Sequence, residues 1–175
     1  MRVWHVPIVG TLGCLALAAR AADVRAAPLA DLAVGIVGIA GTVPRDRGPS
    51  LPHGRWAAVT AIGIAAFAAA RLLVPAHPAG VSPSTVGILV LLIASVAEEA
   101  FFRRWMYGWL AVAGVGPALI GSSAAFAAVH LPIYGLRALP VDFAAGLLFG
   151  WQRLATGAWT ASAATHVAAN LLQLA

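Results

Sequence analysis

The sequence predicts an all-α protein, a polytopic bundle of transmembrane helices. Of its 175 residues, 61% are hydrophobic and only 10% charged, and the mean hydropathy of +0.89 lies far above the balance of a soluble globular domain. Stretches nearly free of charge recur along it, and ~20 apolar residues suffice for a helix to cross the ~30 Å hydrocarbon core of a bilayer. The stretches are continuously apolar rather than alternating, and in lipid every backbone N–H and C=O must be satisfied internally. Helices follow, not a barrel.

Seven segments are expected, within a range of six to eight helices: roughly Val3–Ala19, Leu29–Val43, Trp56–Val74, Thr85–Leu110, Gly116–His130, Leu139–Leu154 and Ala158–Leu174. The first has Arg2 before its apolar centre and the small residues of Ala-Ala-Arg-Ala-Ala after it, as in a signal peptide; we read it as a retained helix because everything beyond it is also membranous. The second is short and glycine-rich, and the fifth ends in a histidine followed by Pro132, so either fits a tilted or partial span. Turn residues separate the segments at Pro44–Pro52, Pro75–Pro83, Gly114–Pro117 and Pro132–Pro140. Gly63, Ala65, Ala66, Gly121, Ser122 and Ser123 are small enough to let helices approach closely. With no internal repeat and no long linker, one bundle accounts for the chain.

The net charge of +5 comes from arginines scattered between the apolar runs rather than gathered in a stripe, which argues against nucleic-acid binding. A cytoplasmic amino terminus puts Arg2, Arg45, Arg47, Arg55, Arg103, Arg104 and Arg153 inside, against Arg20, Arg25, Arg71 and Arg137 outside, in keeping with the positive-inside rule. The lone cysteine, Cys14, excludes an intrachain disulfide and reads as a small lipid-facing residue.

Glu98 and Glu99 are adjacent inside the fourth apolar run, where a charge costs about 2.5–3.5 kcal/mol to insert and commonly marks a functional interior. Neighbouring helical residues point about 100° apart, so the two should have different roles. Glu99 and Arg103, four apart with the acid first, suit an ion pair, which leaves Glu98 the freer, proton-accepting group. The bland reading is that both glutamates snorkel at a helix end beside Arg103 and Arg104. Phe126 and His130 share one helix face, and His166 and Asn170 another. His5, His53, His77, Asp23, Asp31, Asp46 and Asp142 read as solvated or interfacial.

A glutamate and a histidine can deprotonate a water, while a second histidine and an amide can donate to a developing oxyanion. The same residues are also acceptable zinc ligands, although no His-Glu-x-x-His sequence occurs.

Glu98-Glu99-Ala-Phe-Phe-Arg103, then Phe126-Ala-Ala-Val-His130, then His166-Val-Ala-Ala-Asn170 resemble the three ordered motifs of the CPBP family of intramembrane proteases. That family includes prenyl-dependent CAAX endopeptidases and bacterial relatives in bacteriocin immunity or peptide maturation. The resemblance covers about Ser84 to the carboxyl terminus, dividing the chain into N-terminal helices, 1–83, and a catalytic core, 84–175. It implies that Glu98 and His130 activate the water, that His166 and Asn170 stabilise the oxyanion, and that Glu99, Arg103 and Phe126 support them. It also implies a glutamate-dependent reaction without cofactor, zinc being the alternative, on a membrane-anchored peptide or protein, in a multi-pass protein of a bacterial cytoplasmic membrane.

Two other readings use the same residues. A non-catalytic immunity or partner-binding protein that retains the fold would tolerate Glu98→Gln, and a small transporter or proton relay would need a polar path through the bilayer.

Overall fold

The computed structural model describes residues 5–20, 27–44, 53–73 and 84–174. Asp23, Asp46, His77, Arg2, Arg25, Arg45 and Arg47 lie outside the described residues, as do the side chains of His5 and His53. Among the described residues there are seven helices and no strand. These are α1 (His5–Ala19), α2 (Ala27–Ala40), α3 (His53–Leu73), α4 (Thr85–Ala113), α5 (Val115–Tyr134), α6 (Leu139–Thr156) and α7 (Thr160–Leu172). Three of them, Gly54–Leu73, Thr85–Ala113 and Val115–Tyr134, are long and apolar enough to cross a membrane.

The outer surface is lipid-like: Leu12 is 60% exposed, Leu29 70% and Leu72 87%, a display of aliphatic side chains suited to hydrocarbon contact and not to water. α4 is the axis. It packs against α2, α5 and α7; α1 lies across α2 and α5, α6 across α5 and α7, and α3 covers α6 and α7. The core cluster, Leu17, Val34, Phe101, Phe102, Trp105, Phe126, Val129 and Phe149, gathers on the α4 face that meets α1, α2, α5 and α6.

Small residues set the closest contacts. A Cβ on Gly38 would lie 2.4 Å from the backbone carbon of Ala100, and one on Gly63 2.3 Å from the Gln152 amide. Ser122 and Ser123 are fully buried, whereas Ala65 and Ala66 face outward. Gly38→Ala is expected to destabilise the folded protein by about 1–3 kcal/mol through overpacking, although alanine is the better helix former. Gly54, with no neighbour within 4 Å of its would-be Cβ, is the control. Thermal unfolding in detergent should separate Gly38→Ala from an unaffected Gly54→Ala.

Three elements differ from the sequence reading. α4 begins at an ordinary N-cap, Ser84 Oγ accepting from Gly87 N at 3.1 Å, but turns π-helical over Ala100–Met106, one residue after Glu99. Such wide turns recur at functional sites. α5 does not end at His130; it continues through Pro132 to Tyr134. A proline in the last turn forfeits one backbone bond, and the added turn lets Tyr134 stack on His130 at 5.8 Å and 6°. The Pro132–Pro140 loop therefore shrinks to a tight connection, Gly135 at φ 75° leading into Leu136–Ala138, with Pro140 in the first turn of α6, where its missing N–H costs nothing. Cys14 is half-buried against the core rather than turned fully to lipid.

Candidate active site

Ser95, Glu98 and Glu99 stand at i, i+3 and i+4 on α4, all buried, so they project toward the bundle interior where α1, α2, α5 and α7 converge. Glu98 is 3% and Glu99 0% exposed, which excludes snorkelling at a helix end. The roughly 100° between adjacent residues sends the two carboxylates into separate clusters.

Glu98 faces α1, α2 and α5. Its Oε2 lies 3.5 Å from His130 Nε2, and its Oε1 2.6 Å from Arg20 Nη1. The same Nη1 donates to Asp31 Oδ1 at 2.8 Å, and Arg20 Nη2 is 3.5 Å from His130 Nε2. Two expectations are corrected here. Glu98 is not the freer carboxylate, because an arginine from the end of α1 holds it. Asp31 is not solvated: it is 3% exposed, since four residues into α2 it lies beneath Arg20 in the interior.

The His130 tautomer follows from its other nitrogen. Nδ1 is 2.8 Å from the Phe126 carbonyl oxygen, which can only accept, so Nδ1 carries a proton, and the Nε2 lone pair then accepts from Arg20 Nη2 at 3.5 Å.

Glu99 faces α6 and α7. Its Oε1 meets His166 Nδ1 at 3.1 Å, and its Oε2 lies 3.5 Å from Arg103 Nε. The expected i,i+4 pair is therefore present, with both side chains fully buried. Arg103 donates from Nη2 to the Gly146 carbonyl at 3.0 Å. Its guanidinium lies over Phe126 at 4.5 Å, Phe149 at 5.3 Å and Phe102 at 5.7 Å, a box of ring faces suited to a desolvated cation. Arg104 points elsewhere, donating to the carbonyls of Gly38 and Gly41 at 2.5 and 2.9 Å, where it caps the carboxyl end of α2.

Phe126 is the wall between the clusters, its ring 4.6 Å from His130 on one side and 5.7 Å from His166 on the other. His166 also stacks on Phe149 at 5.0 Å and 23°. Asn170, half-buried one turn beyond His166, donates to Ser95 Oγ at 2.7 Å, and Ser95 donates to the Leu91 carbonyl at 2.8 Å. Asn170 thus sits beside the glutamates through Ser95, without a direct bond to Glu98 or His130.

The residues that the sequence singles out, Glu98, Glu99, Arg103, Phe126, His130, His166 and Asn170, converge around α4. Arg20, Asp31, Ser95 and Phe149 are not among them. Asp31 carried a usable signal, an acid within an apolar run, as costly there as Glu98. Arg20, at a helix end, carried none. Among the described residues no three of His, Cys, Asp and Glu converge as metal ligands.

No curated protein and no solved structure matches the chain. Residues 80–172 match the family described as Type II CAAX prenyl endopeptidase Rce1-like. That stretch is more than half of the chain's 175 residues and holds all three motifs; Arg20 and Asp31 precede it. The chain accordingly belongs to the Rce1-like family of CAAX endopeptidases, membrane-embedded proteases of the CPBP kind.

Proposed function

We propose that this protein cleaves a peptide bond of a membrane-anchored peptide or protein by direct attack of a water activated by Glu98 and His130, with His166 and Asn170 on the oxyanion side. The observation that carries the reading is the buried Glu98–His130 pair. Its facing atoms stand 3.5 Å apart, and Glu98 Oε2 has no hydrogen-bond partner among the described residues. A water that enters beside this pair with the substrate would find in Glu98 Oε2 a free acceptor for its proton.

In the step proposed, the water oxygen bonds to the scissile carbonyl carbon as its proton passes to Glu98. The carbonyl oxygen becomes an oxyanion; the C–N bond then breaks as that proton is delivered to the leaving nitrogen. His166 gives Nδ1–H to Glu99, so when it carries both protons its Nε2–H is left to donate to the oxyanion. The Asn170 amide, placed by Ser95, is a second donor on the same face of α7. Phe126, in contact with both histidines, keeps bulk water from between the clusters.

The residues act without a resident metal in this reading, and the test is direct. Purified protein in proteoliposomes is given prenylated CAAX peptides and a library of membrane-anchored peptides, with products identified by intact mass. Cleavage is expected to persist at full rate in a strong metal chelator. Loss of cleavage in the chelator, with recovery on adding zinc, would assign the water to a metal instead.

A further inference from the structure

We propose that Arg20 is a positioning residue of this active site, its guanidinium tying Glu98 to Asp31 and fixing the Glu98 carboxylate against His130. The inference rests on the catalytic reading of Glu98 and His130, and it extends the site to helices that precede the family match.

Arg20 is the first residue beyond α1, where a cation also complements the carboxyl end of the helix. Its side chain is only 10% exposed. Nη1 reaches Glu98 Oε1 at 2.6 Å and Asp31 Oδ1 at 2.8 Å, and Nη2 stands 3.5 Å from His130 Nε2. One guanidinium thus meets groups from α2, α4 and α5. Neither lysine nor a point charge has the planar fork that allows this.

The arrangement does more than neutralise a charge. Asp31 alone would match Arg20; the second carboxylate is the one whose other oxygen faces His130. Arg20 takes Oε1 and thereby leaves Oε2 turned to the histidine, in one rotamer. Without it, Glu98 and Asp31 are two buried anions with no cation between them, which repel in a low-dielectric interior, and Glu98 swings away from His130. The stretch 80–172 that matches the family therefore holds Glu98 and His130 but not the group that orients them.

The test compares Arg20→Ala, Arg20→Lys and Asp31→Asn with the wild type, and with Glu98→Gln, in proteoliposomes with a quenched prenylated CAAX peptide as probe. Arg137→Ala, which removes an exposed arginine just beyond α5, is the control expected to match the wild type. Misplacing a catalytic group by about 1 Å costs about 100-fold, and a loss of that order in kcat, at unchanged KM, is expected for Arg20→Ala. Arg20→Lys and Asp31→Asn should fall between. Guanidinium ion, below denaturing concentration, should restore part of the kcat of Arg20→Ala and none to the Arg20→Ala, Glu98→Gln double variant. A purely structural arginine would give no such rescue.

Wild-type kcat in both Arg20→Ala and Arg20→Lys, with Glu98→Gln inactive, would overturn this inference and leave the catalytic reading standing. Should Arg20→Ala fail to accumulate, the folded Arg20→Lys protein decides: a lower kcat at unchanged KM supports the role, and a wild-type kcat refutes it. Cleavage retained by Glu98→Gln would remove the catalytic reading itself, and this inference with it.

Discussion

Glu98→Gln is expected to lower kcat by about 10²–10⁴-fold, the range that a positioned general base contributes, while leaving the protein inserted and folded. The substitution keeps the shape and the oxygen that meets Arg20 Nη1 at 2.6 Å, and replaces the proton-accepting carboxylate by an amide that cannot take a proton from water. His130→Ala should fall in the same range, because it removes the ring that faces Glu98 Oε2 at 3.5 Å and that the Phe126 carbonyl fixes by accepting from Nδ1 at 2.8 Å. The two losses should not add: residues that act on one water as a unit are strongly non-additive. The readout is kcat of both single variants and the double variant on one prenylated peptide, beside the melting temperature of each in detergent. A double variant with the product of the two single losses would mean that the residues act separately.

Arg103→Met is expected to have the largest effect on stability. Arg103 and Glu99 are both 0% exposed at the side chain, and deleting one partner of a buried ion pair costs about 3–5 kcal/mol, because the other charge is left uncompensated. The loss is compounded by the faces of Phe126 and Phe149, which surround the guanidinium at 4.5 and 5.3 Å. Little folded protein should be recovered. Adding Glu99→Gln to Arg103→Met removes the stranded anion and should return much of the stability, so a double-mutant cycle read by thermal unfolding separates the charge term from the packing term. Additive losses would show that the pair is not coupled.

The helical segments were readable because a bilayer imposes long apolar runs, and Glu98 and Glu99 stood out because charge inside such a run is costly. Glu99 and Arg103 were paired correctly from spacing alone, since both lie on one helix. The contacts that escaped were between helices distant in sequence. Arg20 lies 110 residues from His130, and an arginine after an apolar helix reads as interfacial until packing brings α1 and α2 onto α4. Asp31 reads as solvated or interfacial because it falls near a segment end; Gly35 and Gly38 are what let α2 approach α4 closely enough to bury it. The π turn at Ala100–Met106 has no signature in apolar periodicity. A proline at position 132 marks a segment end by the rule for soluble helices, but within a packed bundle one lost backbone bond does not stop the helix.

The central claim is that water, activated by Glu98 and His130, attacks the peptide directly. Single-turnover cleavage of a prenylated CAAX peptide in ¹⁸O-labelled water, with a metal chelator present and with the intact masses of peptide and enzyme followed together, tests it most directly. The expected result is one ¹⁸O in the new carboxyl group, an enzyme mass unchanged at every time point, and no product from Glu98→Gln. A transient acyl adduct on the enzyme, or equal product from Glu98→Gln, would contradict it.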